Sequence, residues 1–494
     1  MTNWPTTLST VIDPRIWSRK TRCLTVVIAG FAVSRALWDP ALIFRDLNGS
    51  FFEIVDPLLL ITHLSQSLFY LHMEPPLFNL FLGLVLKFFT YPATRVFFIF
   101  YLAMGLVIAV TTYYLIADLT ELPFLAAAAT LLYIFSPASL LYEHFLYNTY
   151  PTVMLLCVAA LTFERYVAIG NYATGVVFIC AITALVLEHS TFQLIWFFVP
   201  LAILYWFARE RFLKLKLPAI SAISVLLLLY LKNAILFGSF TTSSWFGLHL
   251  ASTTTFQLGV TERRALVEQH QLSPFALIER FSYFDQYRGL IPKMRATKVP
   301  VLDEVEKGLP NYNNIEVFTI EKAYRGDALW VVMHRPEAWL RGMWLAYSLY
   351  LTPASEYYMV DDNRRLMPGL DNLYNALLWP RITLITRQIP AIYLVGFPVI
   401  WLFAIGTVIS GYIKRPALDR REIVILFLIF NVVYITVVSN ALEVSENQRF
   451  RFVTDPFSLV LAALFVQSVW HAIRMAGTKT ITSPGAGAKP AVDW

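Results

Sequence analysis

The residues of this sequence that could do chemistry are concentrated in a few polar stretches between long apolar runs. The stretch 39–75 holds five carboxylates and two histidines, namely Asp39, Asp46, Glu53, Asp56, His63, His72 and Glu74. A second stretch, SENQRFRF at 445–452, sets Glu446 beside Arg449 and Arg451. Carboxylates and imidazoles transfer protons, and guanidiniums hold anions. These two stretches are therefore the first candidates for a functional site.

The end of the first stretch, LHMEPPLFNLFLG from position 71, is only partly explained by structure. Proline is tolerated in the first turn of a helix, so Pro75 and Pro76 mark a helix start. Glu74 then lies at the positive end of the helix dipole, where a carboxylate is favoured. This does not explain why His72 and Glu74 occur together after a loop already rich in carboxylates. The alternative is a surface lid whose carboxylates are solvated.

Three further polar positions lie at the ends of apolar runs. His144, in YEHFLY, is either a site residue or an interfacial histidine with one wet edge. Glu188 and His189 would be costly against lipid, so they are expected to face a cavity or a partner helix. Lys232 lies one turn before the end of its apolar run. The outer loops contain no HxxxH, HxxE or paired-Asp spacing, so no metal site is predicted.

The composition places these residues in an integral membrane protein. Of 494 residues, 57% are hydrophobic and only 15% are charged, whereas charged residues make up about a quarter of a soluble domain. Cys23, Cys157 and Cys180 lie in apolar runs without disulfide or metal spacing, so redox chemistry is not expected. The net charge of +6 comes from Lys and Arg at the ends of apolar runs, so it indicates no nucleic-acid partner.

Spanning helices need about 20 mainly apolar residues. Candidates lie near 23–38, 76–92, 96–117, 122–141, 150–168, 172–188, 191–208 and 217–237. After a polar gap come a shorter, amphipathic candidate at 338–352, then 389–413, 423–441 and 454–473, with 374–388 doubtful. In addition, 57–71 has the apolar spacing of a helix that lies in the membrane interface. The first apolar run lacks a signal-peptide cleavage pattern and is expected to remain as a helix.

Basic clusters predict the orientation. The N-terminal arginines, RERFLKLK at 209–216 and KRPALDRRE at 414–422 are all expected on the cytoplasmic side. The segments 141–151, 187–191, 239–337 and 445–452 then share the opposite face. Counting forward from the N-terminus and backward from position 209 gives opposite sides for 118–121, so one early helix is expected to be short, re-entrant or miscounted.

Family resemblance is carried by several stretches in order. An acidic residue after the first helix, an amphipathic loop helix and EPPLFNLFLG resemble the GT-C glycosyltransferases, specifically the group that uses dolichyl- or polyprenyl-phosphate sugars and includes protein mannosyltransferases and the lipid A aminoarabinose transferase. The stretches IFSPASLLYEHFLYNTYP, LYLKNAILFGSFTTSSWFGLHL and SENQRFRFVTDPFSLVLAAL fit the same family in the same order. The family's last motif has Tyr after its first Arg, where this chain has Phe450.

The resemblance implies a GT-C-type fold: an all-α polytopic membrane protein of about 11–13 transmembrane helices with a large first extracytoplasmic loop and a small extracytoplasmic insert. The expected parts are a core at 1–238 with a catalytic loop at 39–75, the insert at 239–337, C-terminal helices at 338–475 and a disordered tail at 476–494. A location in the bacterial inner membrane, with the site on the extracytoplasmic side, is expected.

The implied activity is transfer of a sugar, with inversion, from a polyprenyl-phosphate carrier to a glycan, lipid or protein acceptor. A loop carboxylate would be the base: Asp56 first, then Asp46, with Glu53 or Glu74 left as alternatives. The donor phosphate would meet Arg449, Arg451 and Lys232. The other pocket residues predicted are Glu74, His72, His144, His189 and Glu446.

No cofactor is expected, although Asp46 with Asp56 could hold a divalent cation, as loop carboxylates do in some relatives. The partners expected are the donor, the acceptor and membrane lipid. A rival interpretation from another class is a transporter or flippase of lipid-linked saccharides. Transporters place polar residues near the bilayer midplane, often in repeated halves. Here the charges concentrate at one face and no repeat is visible, which favours the enzyme.

Overall fold

The computed structural model describes residues 14–46, 53–89, 91–291, 296–303, 311–385, 387–415 and 417–481. The helices up to the predicted insert are α1 Pro14–Trp38, α2 Pro57–Thr62, α3 Leu64–Phe69, α4 Pro76–Phe88, α5 Ala93–Thr120, α6 Pro123–Ile134, α7 Pro137–Glu143, α8 Thr149–Ile169, α9 Tyr172–Glu188, α10 Leu194–Phe207, α11 Arg209–Lys214 and α12 Lys216–Phe237.

The later elements include one small sheet. Its strands are β1 Arg381–Leu384 and β2 Arg387–Pro390, paired antiparallel with Arg381 opposite Pro390. The later helices are α13 Phe246–Thr253, α14 Val260–Glu268, α15 Pro300–Asp303, α16 Val317–His334, α17 Pro336–Tyr350, α18 Asp361–Arg364, α19 Pro368–Leu377, α20 Phe397–Lys414, α21 Arg420–Leu442 and α22 Asn447–Ile481. Short 3₁₀ turns lie at Thr255–Gln257, Pro274–Leu277, Phe284–Tyr287, Ala354–Glu356 and Tyr358–Val360, and a π-helical turn at Ile392–Gly396 precedes α20.

Local sequence sets several of the helix ends. Asp56 caps α2, whose first residue is a proline, and its carboxylate accepts from the amide of Leu58 at 2.7 Å. The start of α21 has a full capping box, in which Asp419 and Glu422 each accept from the other's amide. Gly238 ends α12 in the left-handed conformation, which favours glycine.

The predicted multi-pass helical architecture is confirmed. Among the described residues, seven helices are long and apolar enough to cross a membrane, and α6 with α7 forms a further candidate bent by 59°. Three shorter apolar helices, α4, α9 and α10, stand beside them. The span predicted at 122–141 is therefore a broken one, and the interfacial helix predicted at 57–71 is the pair α2 and α3, separated at His63.

One end of the bundle gathers the basic clusters, and we call it the basic end. Lys20 pairs with Asp118 at 2.9 Å, which brings the N-terminal segment to the connection after α5. The hydroxyl of Tyr166 donates to the carbonyl of Arg211 at 2.5 Å, and Arg420 pairs with Glu164. The connections at 118–121 and 209–216 and the start of α21 therefore lie together, as the charge pattern predicts.

At the opposite end, the polar end, lie the first loop and the insert. Glu74 accepts from the hydroxyl of Ser190 at 2.8 Å, and Nδ1 of His72 lies 2.8 Å from the hydroxyl of Ser244. These contacts answer the question that His72 and Glu74 raise. Glu74 joins the end of the first loop to the α9–α10 connection, and His72 joins it to the insert.

Helix α4 starts at the polar end and does not cross. It has 13 residues, which span only about 20 Å. Thr94, in the first turn of α5, donates to Asp46 of the first loop, and Phe81 of α4 packs on Phe97 with the ring centroids 5.7 Å apart. Both ends of α4 therefore lie in the polar half. Helix α4 is thus the short early helix that the sequence predicts. The sequence predicts a span at 76–92, whereas the structure gives a helix of 13 residues that returns to the polar half.

The insert carries its own small apolar clusters yet is tied to the bundle. One cluster is formed by Leu248, Ala251, Phe275, Tyr287, Ile320 and Tyr324. Trp245, at the start of the insert, is fully buried in the main core. In the C-terminal part, the sequence does not predict the β1–β2 hairpin, and α22 is longer than the span at 454–473. Residues 482–494 of the predicted disordered tail lie outside the described residues.

Candidate functional site

A cavity of about 570 Å³ lies at the polar end, between segments far apart in the sequence. Its walls come from the first loop, the α9–α10 connection, the start of the insert, α21 and the α21–α22 connection. The lining residues are Glu53, His189, Ser190, Thr191, Gln193, Ile195, Thr241, Ser243, Phe246, His249, Tyr434, Val438, Ser439, Leu442, Glu443, Glu446, Arg449 and Phe450. Most of the lining residues are polar or charged. The cavity also has an apolar flank, formed by Ile195, Phe246, Val438 and Leu442.

Arg449 is the central cation of this cavity. Its side chain is only 3% exposed, and Nη2 lies 2.6 Å from Oε2 of Glu446 and 3.6 Å from Oε1 of Glu53. Its guanidinium also lies 4.7 Å from the ring centroid of Tyr147. Aromatic faces and carboxylates on several sides hold the guanidinium in place.

Glu53 is the loop carboxylate that enters the cavity. It has a positive φ of 66°, which a non-glycine residue adopts only when its surroundings hold it there. Asn79 provides that support, because its amide donates to the carbonyl of Glu53 at 3.1 Å and accepts from the amide of Val55 at 2.8 Å. Oε2 of Glu53 accepts from Asn148 at 2.7 Å. Three elements therefore fix this carboxylate beside Arg449.

Two buried carboxylates in the cavity have pKa values shifted in opposite directions. Burial raises the pKa of Glu446, although Arg449 opposes the shift. Burial acts in the same direction on Glu443, but there the charges of Arg280 and His249 outweigh it and hold the pKa at about 2. Glu443 therefore stays ionised, whereas Glu446 is the easier of the two to protonate.

The α9–α10 connection supplies a neutral hydrogen-bonding group. Burial, aided by nearby Arg449, lowers the pKa of His189 to about 3, and its Nδ1 accepts from the amide of Thr191 at 3.1 Å. The proton of the neutral ring therefore lies on Nε2. Behind it, burial and the charge of Glu53 raise the pKa of Glu74 well above its ordinary value.

Of the residues predicted from sequence, the structure brings Arg449, Glu446 and His189 into the cavity and puts Glu74 directly behind Ser190. Six other predicted residues do not line it. Asp56 is the half-buried cap of α2, and Asp46 accepts from Thr94 at the start of α5. His72 is buried against Phe318, and Lys232 donates to the carbonyl of Leu71 at 2.9 Å.

Arg451 is the fifth residue that turns away. Residues two apart on a helix point about 200° apart, so Arg449 and Arg451 of α22 cannot face one cavity. Nε of Arg451 lies 3.3 Å from Oδ1 of Asp455, and its guanidinium stacks 4.3 Å from the ring centroid of Tyr393. The prediction that both arginines meet one phosphate needs this correction.

His144 lies at a second cavity, of about 320 Å³. Together with Asp39 and Glu143 it forms the one group of metal-competent side chains found among the described residues, with ligand atoms within 4.8 Å of one another. Arg35 holds Glu143 through two bonds of 2.9 Å, so that carboxylate is already neutralised. A divalent cation would have to compete with this guanidinium, and the donor set therefore fits a metal poorly.

Sequence reasoning missed His249 and Glu443 in the cavity. Glu443 ends α21 only two residues before the predicted stretch 445–452 and was a nearby signal. His249 lies 194 positions away from Glu443 in the chain, and no local pattern in LHLAST marks it. Glu53 was predicted only as an alternative base, because the motif spacing favoured Asp56 and Asp46.

No protein-family model matches the chain, and a search of curated proteins finds no relative. A search of solved structures finds the crystal structure of the Archaeoglobus fulgidus oligosaccharyltransferase in complex with Zn and sulfate, with a probability of 1.00, a TM-score of 0.41 and 14% identity. The match covers 91% of this chain, which spans about half, 50%, of that protein's length.

Proposed function

We propose that this protein is a membrane glycosyltransferase that moves a sugar from a polyprenyl-phosphate carrier to an acceptor hydroxyl at the polar end, on the extracytoplasmic side. The observation that carries the proposal is the cavity in which Glu53 of the first loop meets the buried cation Arg449. A base and a phosphate-binding cation in one site are what such a transfer requires.

The shape of the cavity supports a lipid-linked donor. Ile195 and Phe246 line it and are 72% and 44% exposed on the outside of the protein, so the flank is continuous with the lipid-facing surface. Val438 and Leu442 of α21 extend the same apolar wall. A carrier could therefore keep its hydrocarbon chain in lipid while its phosphate reaches Arg449.

In the proposed reaction, the acceptor atom attacks the anomeric carbon from the face opposite the phosphate. The bond from that carbon to the phosphate oxygen breaks, and its electron pair stays on the carrier phosphate. The acceptor's proton passes to the base, and the configuration inverts. Because the donor is already activated, no nucleotide enters these steps.

Glu53 takes the role of base in this proposal, in place of Asp56 or Asp46. In the structure its Oε1 lies 3.6 Å from Arg449 and its Oε2 accepts from Asn148. Donor phosphate would draw Arg449 towards itself and leave Oε1 free to accept the proton. Hydrogen bonds in an empty site commonly rearrange in this way when substrate binds.

The test uses the purified full chain in nanodiscs with a polyprenyl-phosphate sugar, and it measures the release of polyprenyl phosphate. Replacement Glu53→Gln keeps the hydrogen-bonding shape and removes the base, so turnover is expected to fall by about 100-fold or more. Replacement Asp56→Asn is the matched control, because it removes a carboxylate of the same loop that lies outside the cavity.

Full turnover in Glu53→Gln would contradict the proposed role of Glu53 as the base. Transfer of the intact donor across vesicle bilayers, without cleavage, would favour the transporter or flippase over the enzyme.

A further inference from the structure

The insert places one titratable side chain in the main cavity, His249 of α13. Its Nδ1 contacts Oε2 of Glu443 in the α21–α22 connection. Glu443 also accepts two bonds from Arg280 of the insert, at 2.9 Å and 2.7 Å, and one from Ser445 at 2.9 Å. The carboxylate is 6% exposed and fully engaged. It therefore fixes the orientation of the imidazole, as a carboxylate does behind many functional histidines.

An imidazole held through Nδ1 has its other nitrogen, Nε2, available on the ring edge away from Glu443. The rings of Trp245 and Phe281 pack against it, with centroids 6.0 Å and 5.6 Å away. The charged and titratable groups near it are Glu443, with Arg280 behind that carboxylate, Glu446 on the α22 side and His189 on the α9–α10 side. His249 is 26% exposed, so a proton from water can reach it.

The proposed reaction needs a second hydrogen-bond donor to the phosphate because the charge of the phosphate changes. The donor is a phosphodiester with one negative charge, whereas the released carrier is a monoester whose second ionisation has a pKa of about 6. Arg449 already shares its charge between Glu446 and Glu53. Negative charge that develops on the leaving phosphate therefore calls for a second donor in the cavity.

We infer that His249, oriented by Glu443, takes up a proton from solvent and donates its Nε2–H to the carrier phosphate as the sugar leaves. His249 makes and breaks no bond of the sugar, and it returns its proton to solvent when the carrier departs. The inference rests on the proposed function and deepens it. The cavity then distinguishes a lipid phosphomonoester, the product, from a lipid phosphodiester, the donor.

The experiment measures binding to the full chain in nanodiscs by calorimetry, with farnesyl phosphate as the monoester and farnesyl methyl phosphate as the diester. Buffers of different ionisation enthalpy report how many protons are taken up. The wild type is expected to bind the monoester with proton uptake and to lose this preference as the pH rises. In His249→Gln, monoester affinity is expected to fall by about tenfold or more, as for a lost bond to a charged group, without proton uptake.

Diester affinity in His249→Gln is expected to stay close to that of the wild type. His270→Gln is the matched control, because it makes the same change at an exposed position of the same insert. Glu443→Gln is a second variant, in which the preference for the monoester should also shrink. Unchanged monoester preference and proton uptake in His249→Gln would overturn the inference, and so would an equal loss for both ligands. Absence of turnover in the wild type would instead contradict the proposed function.

Discussion

At the scale of single residues, Asp56 shows how one carboxylate can be taken for another. The sequence places it before a loop helix, where a base is expected, and the structure uses it to cap that helix. Asn caps a helix as well as Asp does, whereas Ala does not. We therefore expect Asp56→Ala to lower the free energy of unfolding by about 1 kcal/mol and Asp56→Asn to leave it nearly unchanged.

Thermal unfolding of the detergent-solubilised variants measures this difference, and a turnover assay on the same samples separates stability from catalysis. A selective loss of turnover in Asp56→Asn, without loss of stability, would return the base to Asp56.

The sequence predicts the residue types of the site better than their grouping. Arg449, Glu446 and His189 were predicted and lie in the cavity. The separation of Arg449 from Arg451 depends on where α22 begins, and a helix start at Asn447 turns the second arginine towards Asp455. Contacts between distant segments could not be predicted, because they depend on how the insert docks.

At the scale of elements, the position of α13 depends on two close helix crossings. A Cβ on Gly342 of α17 would lie 2.1 Å from the carbonyl oxygen of Thr253, and one on Gly247 would lie 2.4 Å from the carbonyl oxygen of Glu321. Both neighbours are backbone atoms, which cannot move aside alone. We expect Gly342→Ala to push α13 away from α17, to lower the free energy of unfolding by about 1–3 kcal/mol and to weaken binding of the phosphomonoester product through His249.

The matched control is Gly326→Ala on α16, where an added Cβ meets nothing within 4 Å. Alanine favours a helix over glycine, so this variant should be as stable as the wild type or more stable, by up to about 1 kcal/mol. Thermal unfolding and binding of the phosphomonoester measure both effects. Equal behaviour of the two variants would show that the α13–α17 crossing does not position the cavity wall.

The helices themselves were largely predictable, because apolar runs of about 20 residues have few other structures in a membrane. Helix α4 is the exception that matters for the site. Its apolar run starts with prolines at a clear helix start, but it packs on α5 through Phe81 and Phe97 rather than crossing. Composition alone does not distinguish a short crossing from a helix that turns back.

At the scale of the whole molecule, the two ends differ in charge, and this difference was readable from the sequence. The basic clusters at 209–216 and 414–422 do lie together, through Arg211 with Tyr166 and Arg420 with Glu164. The conflict in counting the early helices disappears once α4 returns to the polar end. The loop, the insert and the α21–α22 connection can then share one face, which the site requires.

Placement of single cysteines tests this arrangement. Tyr91, between α4 and α5, is 97% exposed, and His270 of the insert and Lys214 of α11 are also exposed. In a Cys180→Ala background, which removes the exposed native thiol, Tyr91→Cys and His270→Cys are expected to react with a membrane-impermeant maleimide from one side of sealed vesicles. Lys214→Cys is expected to react only from the other side. If Tyr91→Cys instead reacted together with Lys214→Cys, α4 would cross the membrane, and Thr94 at the start of α5 would be separated from the first loop, whose Asp46 it contacts.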